Sequence, residues 1–260
     1  MIDGCSRTFQ ADKASVKVYK SSSQAGRAAG VQGAALLDEI ISGQGYARIM
    51  VAASNSQFDV MASLVEDRRL KWNSIEVFHM DEYIGLPETH PASFRLWVKT
   101  HLVDLVHPAK VHYLRGDAKD LVKECQNYGD LLRSAPIDVC FMGIGDNGHI
   151  AFNDPHVAHF DDPLTVKKVE LDEKCRLQQV GEGHFTTLDS VPREALTVTI
   201  PALVGSKQII CCVPDVRKAE AVRDALEGPI STSCPASIIR THHRATIFLD
   251  TNSASLLSKY

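Results

Sequence analysis

Short unbroken apolar runs alternate along this chain with stretches in which apolar residues recur every three or four positions. Residues 24–42 carry Ala29, Leu36, Leu37, Ile40 and Ile41 at helical spacing and stop at Gly43. Residues 48–53 form a short apolar run of the kind a buried strand needs, and a helical pattern follows over 57–65. Residues 75–79 give the next strand, and His90-Pro91 opens a predicted helix reaching Leu102. A helix over about 117–134 precedes a strongly apolar strand at 137–144. Two further strands, 208–213 and 245–249, flank a helix over 216–226. Strands that are apolar throughout, rather than alternating, are buried on both faces, and helices between them supply the cover. The expected fold is therefore a doubly wound, Rossmann-like α/β structure with a mostly parallel sheet and helices on both faces. No repeat or linker-like shift in composition divides residues 1–260, so a single domain is expected, with residues 1–15 an arm of uncertain order. Tyr260 and the tail after Ser253 are left open between packing and fraying.

A net charge of -4 leaves no basic stripe for a nucleic-acid backbone, although a few N–H groups and one lysine suffice for a small anion. No stretch reaches the roughly 20 apolar residues that span a bilayer. The first residues lack the apolar core of a secretory signal, and the seven cysteines, an odd number without a C-x-x-C pair, suit a reducing compartment. The expectation is a cytoplasmic protein with no membrane or nucleic-acid partner. His156 and His159, and the adjacent His242 and His243, lack the further ligands of a metal site, so none is expected.

In an open α/β sheet, ligands bind beyond the carboxyl ends of the strands. Four polar clusters occupy such positions: Ser54-Asn55-Ser56, Asp81-Glu82, residues 143–149, and residues 215–218. Asp81 and Glu82 are either a solvated turn or a carboxylate in a cleft, its pKa raised by desolvation and fit to abstract a proton next to a carbonyl. Gly143, Gly145 and Gly148 allow a sharp turn and close approach to a ligand just before His149, with Asp154 five residues on to orient an imidazole. The spacing is not that of a dinucleotide-binding loop. Lys218, near the start of a helix that follows a strand, suits a phosphate or is an ordinary surface lysine. The Ser54–Ser56 hydroxyls either cradle phosphate or cap a helix.

Taken together, these segments resemble the glucosamine-6-phosphate deaminase/isomerase family, which also contains the 6-phosphogluconolactonases. The likeness is carried by residues 80–87 (MDEYIGLP), 90–94 (HPASF), 143–155 (GIGDNGHIAFNDP) and 191–197, then by Lys218-Ala219-Glu220-Ala221, Leu226-Glu227-Gly228-Pro229 and Pro235-Ala236-Ser237. It spans residues 24–257, and the GHIAFN run looks like the deaminase branch. The resemblance implies conversion of glucosamine 6-phosphate to fructose 6-phosphate and ammonia without a cofactor. It makes Asp81 the base, His149 the ring-opening residue and Asp154 its orienting acid, with Asn147 beside it. Lys218 becomes a phosphate ligand, and Ser54, Asn55, Ser56, Glu82 and Gly145 complete the candidate binding set. Three departures accompany the likeness. Residues 52–57 replace a glycine-rich loop; Asn147 and Asp154 stand where Asp and Glu are common; and Gln179 occupies the register of an arginine, with Arg176 nearby. They suggest a divergent subgroup whose amino-sugar phosphate differs. A lactone hydrolase on the same scaffold and a non-catalytic sugar-phosphate regulator are the alternatives, and self-association is left open.

Overall fold

A computed structural model describes residues 4–258. The chain begins with an antiparallel hairpin, β1 (Cys5–Ala11) and β2 (Ala14–Tyr19), followed by α1 (Ser22–Gln44), β3 (Ala47–Val51) and α2 (Phe58–Glu66). Then come β4 (Ile75–His79), β5 (Asp81–Tyr83), α3 (Phe94–Val98), α4 (Asp104–Val106) and β6 (Lys110–His112). α5 (Leu121–Arg133), β7 (Val139–Met142), β8 (Val166–Glu170), α6 (Glu173–Gly181) and β9 (Glu194–Val198) form the next stretch. α7 (Ile200–Val204), β10 (Gln208–Val213), α8 (Ala219–Glu227) and β11 (Ala245–Asp250) complete the order.

The main sheet runs β1-β2-β11-β10-β7-β3-β4-β6, and every pairing in it is parallel except that of the hairpin. The apolar runs supply its interior. In β10, Ile209, Cys211 and Val213 enter one core and Ile210 and Cys212 the other, because successive side chains leave a strand on opposite faces. One core is closed by α7 and α8, through residues such as Leu203 and Val222. The other is closed by α1, α2 and α3, through Leu37, Leu64 and Trp97. Helices thus cover both faces, as the expected doubly wound fold requires. Gly30 lets α1 lie against α2, since a Cβ there would meet Ser63 Cβ at 2.5 Å and Val60 O at 2.6 Å.

Several elements differ from the sequence pattern. Within residues 1–15, the segment 5–11 pairs as β1 with β2, which itself lies against β11. The helix expected from His90-Pro91 starts at Phe94; Pro91 lies in a turn and Ser93 is the N-cap, accepting from Leu96 N at 3.5 Å. It passes into a π-helical stretch, Lys99–Val103. The helix expected from 117 starts at Leu121, because Asp120 caps it through Lys123 N at 2.9 Å. β5, β8 and β9 form a separate antiparallel sheet, β5-β9-β8, which the pattern does not announce. Ala254 and Leu257 of the tail are buried in the core, while Tyr260 lies outside the described residues. No helix among the described residues is long and apolar enough to cross a membrane.

Candidate active site

The four polar clusters follow β3, β4, β7 and β10, and these four strands are adjacent in the order β10-β7-β3-β4. Their carboxyl-terminal loops therefore meet, and they enclose a pocket of about 230 Å³. Asp81, His149, Gly145, Ser54, Asn55, Ser56 and Lys218 all line it. Of the other candidates, Asn147 and Asp154 stand behind His149, and Glu82 is turned away from the cavity.

Asp81 starts β5 and pairs with Thr197 of β9, so the small sheet fixes its backbone. His79 fixes it a second time. Leu114 N donates to His79 Nε2 at 2.8 Å, which leaves the proton on Nδ1, and Nδ1 donates to Asp81 O at 2.9 Å. Burial pushes the His79 pKa down to about 3, so this ring is a neutral strut. The Asp81 carboxyl meets no hydrogen-bond donor among the described residues. Burial, and secondarily the neighbouring charge of Glu82, hold its pKa well above the usual carboxylate range. A carboxylate ionised there is a stronger base than one in water.

Glu82 was grouped with the substrate ligands on sequence; its geometry assigns it elsewhere. It is fully buried, and its oxygens accept from Ser93 Oγ at 2.8 Å, Arg95 N at 2.9 Å, Phe94 N at 3.1 Å and Tyr83 N at 2.9 Å. Arg95 Nε adds an ion pair at 3.4 Å. Glu82 satisfies the orphan donors at the start of α3 and has no lone pair aimed at the pocket.

His149 sits on a platform made by its own loop. Gly145 lies under the ring: a Cβ at that position would come within 2.1 Å of His149 Cε1, so only glycine fits. Gly145 thus shapes the pocket by admitting the imidazole. Asn147 Nδ2 donates to Asp154 Oδ1 at 2.9 Å and to Asp172 Oδ2 at 2.6 Å, which orients the amide so that Oδ1 accepts from His149 Nδ1 at 2.7 Å. Asp154 Oδ1 also lies 3.0 Å from His149 Nδ1. Both contacts place the proton on Nδ1 and leave Nε2 as the free nitrogen. Burial works to raise the Asp154 pKa, but hydrogen bonds from His149, Asn147 and Asp172 N bring it below the usual value, so the acid stays ionised behind the ring. Two groups of ligand-type atoms occur here, His149 with Asp154 and Cys175, and Asp154 with His156 and Asp172. The sequence pattern did not foresee either grouping. The carboxylates in them already accept hydrogen bonds: Asp154 Oδ2 accepts from Asp172 N at 3.1 Å and Asp172 Oδ1 from Cys175 N at 2.6 Å, and burial pushes the Cys175 thiol well up.

The far side of the pocket is polar. Ser54 Oγ and Ser56 Oγ are 2.9 Å apart, and Ser54 is the N-cap of a short 3₁₀ turn, Asn55–Gln57, that leads into α2. Lys218, 5% exposed, brings its ammonium to 2.5 Å from Asp146 Oδ1 and 3.5 Å from Glu182 Oε1. Arg217 also lines the pocket and pairs with Asp215 at 3.0 Å. Asp215 holds a left-handed backbone, φ 88°, as does Ala151, which also lines the pocket, φ 49°. Such conformations in non-glycine residues persist only where the surroundings enforce them. α6 and the turn after it supply Gln178, Gln179, Glu182 and His184 to the wall. None of these except Gln179 stood out in the sequence; Arg217 lies within the 215–218 cluster but was given no role of its own there. Arg176 does not reach the cavity, since its guanidinium donates to Leu188 O and Val191 O. Gln179 is therefore the residue the pocket presents at that place.

Residues 20–248 match the family model described as glucosamine-6-phosphate isomerases/6-phosphogluconolactonase. The chain belongs to this family. Among members it is 37% identical over 210 residues to the glucosamine-6-phosphate deaminase of Exiguobacterium sibiricum, covering 81% of each chain. It is 33% identical over 203 residues to that of Halothermothrix orenii, covering 77% of this chain and 82% of the relative. Among solved structures, a monomeric glucosamine-6-phosphate deaminase superposes with a TM-score of 0.84 at 30% identity, over 93% of this chain and 99% of the other. The 6-phosphogluconolactonase of Thermotoga maritima has a TM-score of 0.73 at 17% identity, over 90% and 98% of the two chains. That second likeness is one of fold.

Proposed function

We propose that the protein converts glucosamine 6-phosphate to fructose 6-phosphate and ammonia, with Asp81 as the proton-transfer base and His149 as the ring-opening group. The observation that carries this reading is the convergence of both residues on one pocket, each held from behind and each presenting a free atom to it. The deaminase relatives supply the substrate.

The geometry suits each step. His149 Nε2 takes the proton of the C1 hydroxyl and returns one to the ring oxygen, which breaks the C1–O bond and leaves the open-chain aldehyde. Asn147 and Asp154 keep the Nδ1 proton in place and stabilise the imidazolium formed between the two transfers. The aldehyde acidifies C2–H. Asp81 removes that proton and delivers it to C1, while O1 gains a proton and nitrogen gives one up, so the electron pair moves through an enolamine and ends with a C1 hydroxyl and a C2 imine. Water adds to the imine carbon, and ammonia leaves with a proton returned to nitrogen. Every proton removed is restored, and no electron acceptor is needed. Ser54, Asn55, Ser56 and Lys218 take the phosphate at the far side.

The test is incubation with glucosamine 6-phosphate while ammonia and fructose 6-phosphate are both followed, with Asp81→Asn as control. Equal formation of the two products, at a kcat/KM of about 10⁴ M⁻¹s⁻¹ or more and lost in the variant, is the expected result. Such turnover would also remove the case for a changed amino-sugar phosphate. No ammonia from folded protein would refute the assignment, and lactone hydrolysis above the spontaneous rate would replace it with the hydrolase.

A further inference from the structure

The cations of the phosphate end are already matched by acids. One ammonium, Lys218, faces two carboxylates, Asp146 at 2.5 Å and Glu182 at 3.5 Å, and Arg217 faces Asp215. The acids around these two cations outnumber them. Glu182 is held in place from several sides. Gln178 Nε2 donates to its Oε1 at 2.8 Å, while Gln178 Oε1 accepts from Asp146 N at 2.8 Å, so one amide fixes both acids against Lys218. Asn55 Nδ2 donates to Glu182 O at 3.3 Å, which ties the same residue to the serine loop. His184 Nε2 lies 3.5 Å from its other oxygen. Burial would raise this carboxyl, yet His184, Lys218 and Gln178 hold it down at about 2, so it carries its charge throughout the working range. Gln179, buried in the same wall, contributes an amide and no charge.

A phosphate dianion that reaches Lys218 therefore meets a fixed negative charge in a poorly solvated site, and like charges at such distances repel strongly. A neutral hydroxyl meets the same carboxylate as a hydrogen-bond acceptor. We propose that Glu182 is a specificity-determining residue, a buried carboxylate that weakens the pocket's hold on a phosphate dianion and narrows its preference for phosphorylated over unphosphorylated amino sugar. This rests on the reading of the pocket as an amino-sugar phosphate site.

The experiment compares the intact protein with Glu182→Gln, which keeps the acceptor for Gln178 and removes the charge. Inorganic phosphate is titrated calorimetrically, and KM and kcat are measured for glucosamine 6-phosphate and for glucosamine. Phosphate should bind at least about tenfold tighter to the variant, with KM for the phosphorylated sugar falling in step. Its kcat should stay within about threefold, whereas KM for glucosamine should not fall, because the variant offers its hydroxyl a weaker acceptor. Unchanged or weaker phosphate binding in a folded variant overturns the proposal, as does an equal gain for glucosamine. If Glu182→Gln does not fold, Glu182→Ala removes the same charge and carries the same expectation. The phosphate titration needs no turnover. Tighter binding without ammonia release would sustain the role of Glu182 and sink the deaminase reading alone.

Discussion

At one end of the pocket, the Asp81 carboxyl meets no donor among the described residues, and His149 is backed by Gly145, Asn147 and Asp154. At the other end, Lys218 is held by two carboxylates and Arg217 by one. The first end keeps its reactive atoms free and engages everything behind them. The second engages the very groups that would meet a ligand. Proton transfer tolerates little displacement, because a base slightly out of place loses its advantage, whereas an ion contact can be exchanged when substrate arrives.

The sharpest way to break this contrast is Asp81→Asn. We expect kcat to fall by about 10³-fold or more, read from ammonia release. The same variant tests the environment of the carboxyl. A folded-state pKa above the unfolded one gives stability that is present at low pH and is lost as pH rises through the raised value. Asp81→Asn should therefore gain stability over the parent as pH is raised above the ordinary carboxylate range and through the raised value, and the parent's kcat/KM should climb over the pH range in which Asp81 ionises. Thermal melts and a pH–rate profile check both signs. Gly145→Ala comes next. Its methyl group displaces the imidazole, and a loss of roughly 10²-fold in kcat with an unchanged melting temperature would separate positioning from folding. Lys218→Met probes the other end and should raise KM for glucosamine 6-phosphate by about tenfold while kcat changes little. An equal fall in kcat would show that the two ends are not separable. Glu82→Gln has the smallest functional effect. It should lower stability by about 2–3 kcal/mol, measured by urea denaturation, and leave KM within about twofold. A larger rise in KM would return Glu82 to the substrate.

Much of the scaffold was legible in the pattern. The apolar runs at 75–79 and 208–213 coincide with β4 and β10, because a strand buried on both faces must be apolar throughout. β5, β8 and β9 were not legible. β5 has only three residues, two of them acids, and β8 has three charged residues of five, Lys167, Lys168 and Glu170, without alternation. These strands owe their form to one another, and β5 pairs with β9 across more than a hundred residues, which leaves no local mark. The helix of 90–102 was placed early because its real start depends on Ser93 and on the Glu82 carboxylate, which arrives from another strand.

The sequence by itself determined which chemistry is present. The order of strands and polar loops placed Ser54, Asp81, His149 and Lys218 at strand ends, and parallel strands carry all such ends to one edge. Only the tertiary structure decided how each group is used. It turned Glu82 inward to cap α3, and it kept Arg176 away from the pocket. It brought Arg217, Gln178 and Glu182 to the Lys218 end of the pocket, and set Asn147 to hold the His149 proton. The physical reason is that a side chain's charge state and free lone pairs depend on its neighbours within a few ångströms, and here those neighbours come from remote parts of the chain.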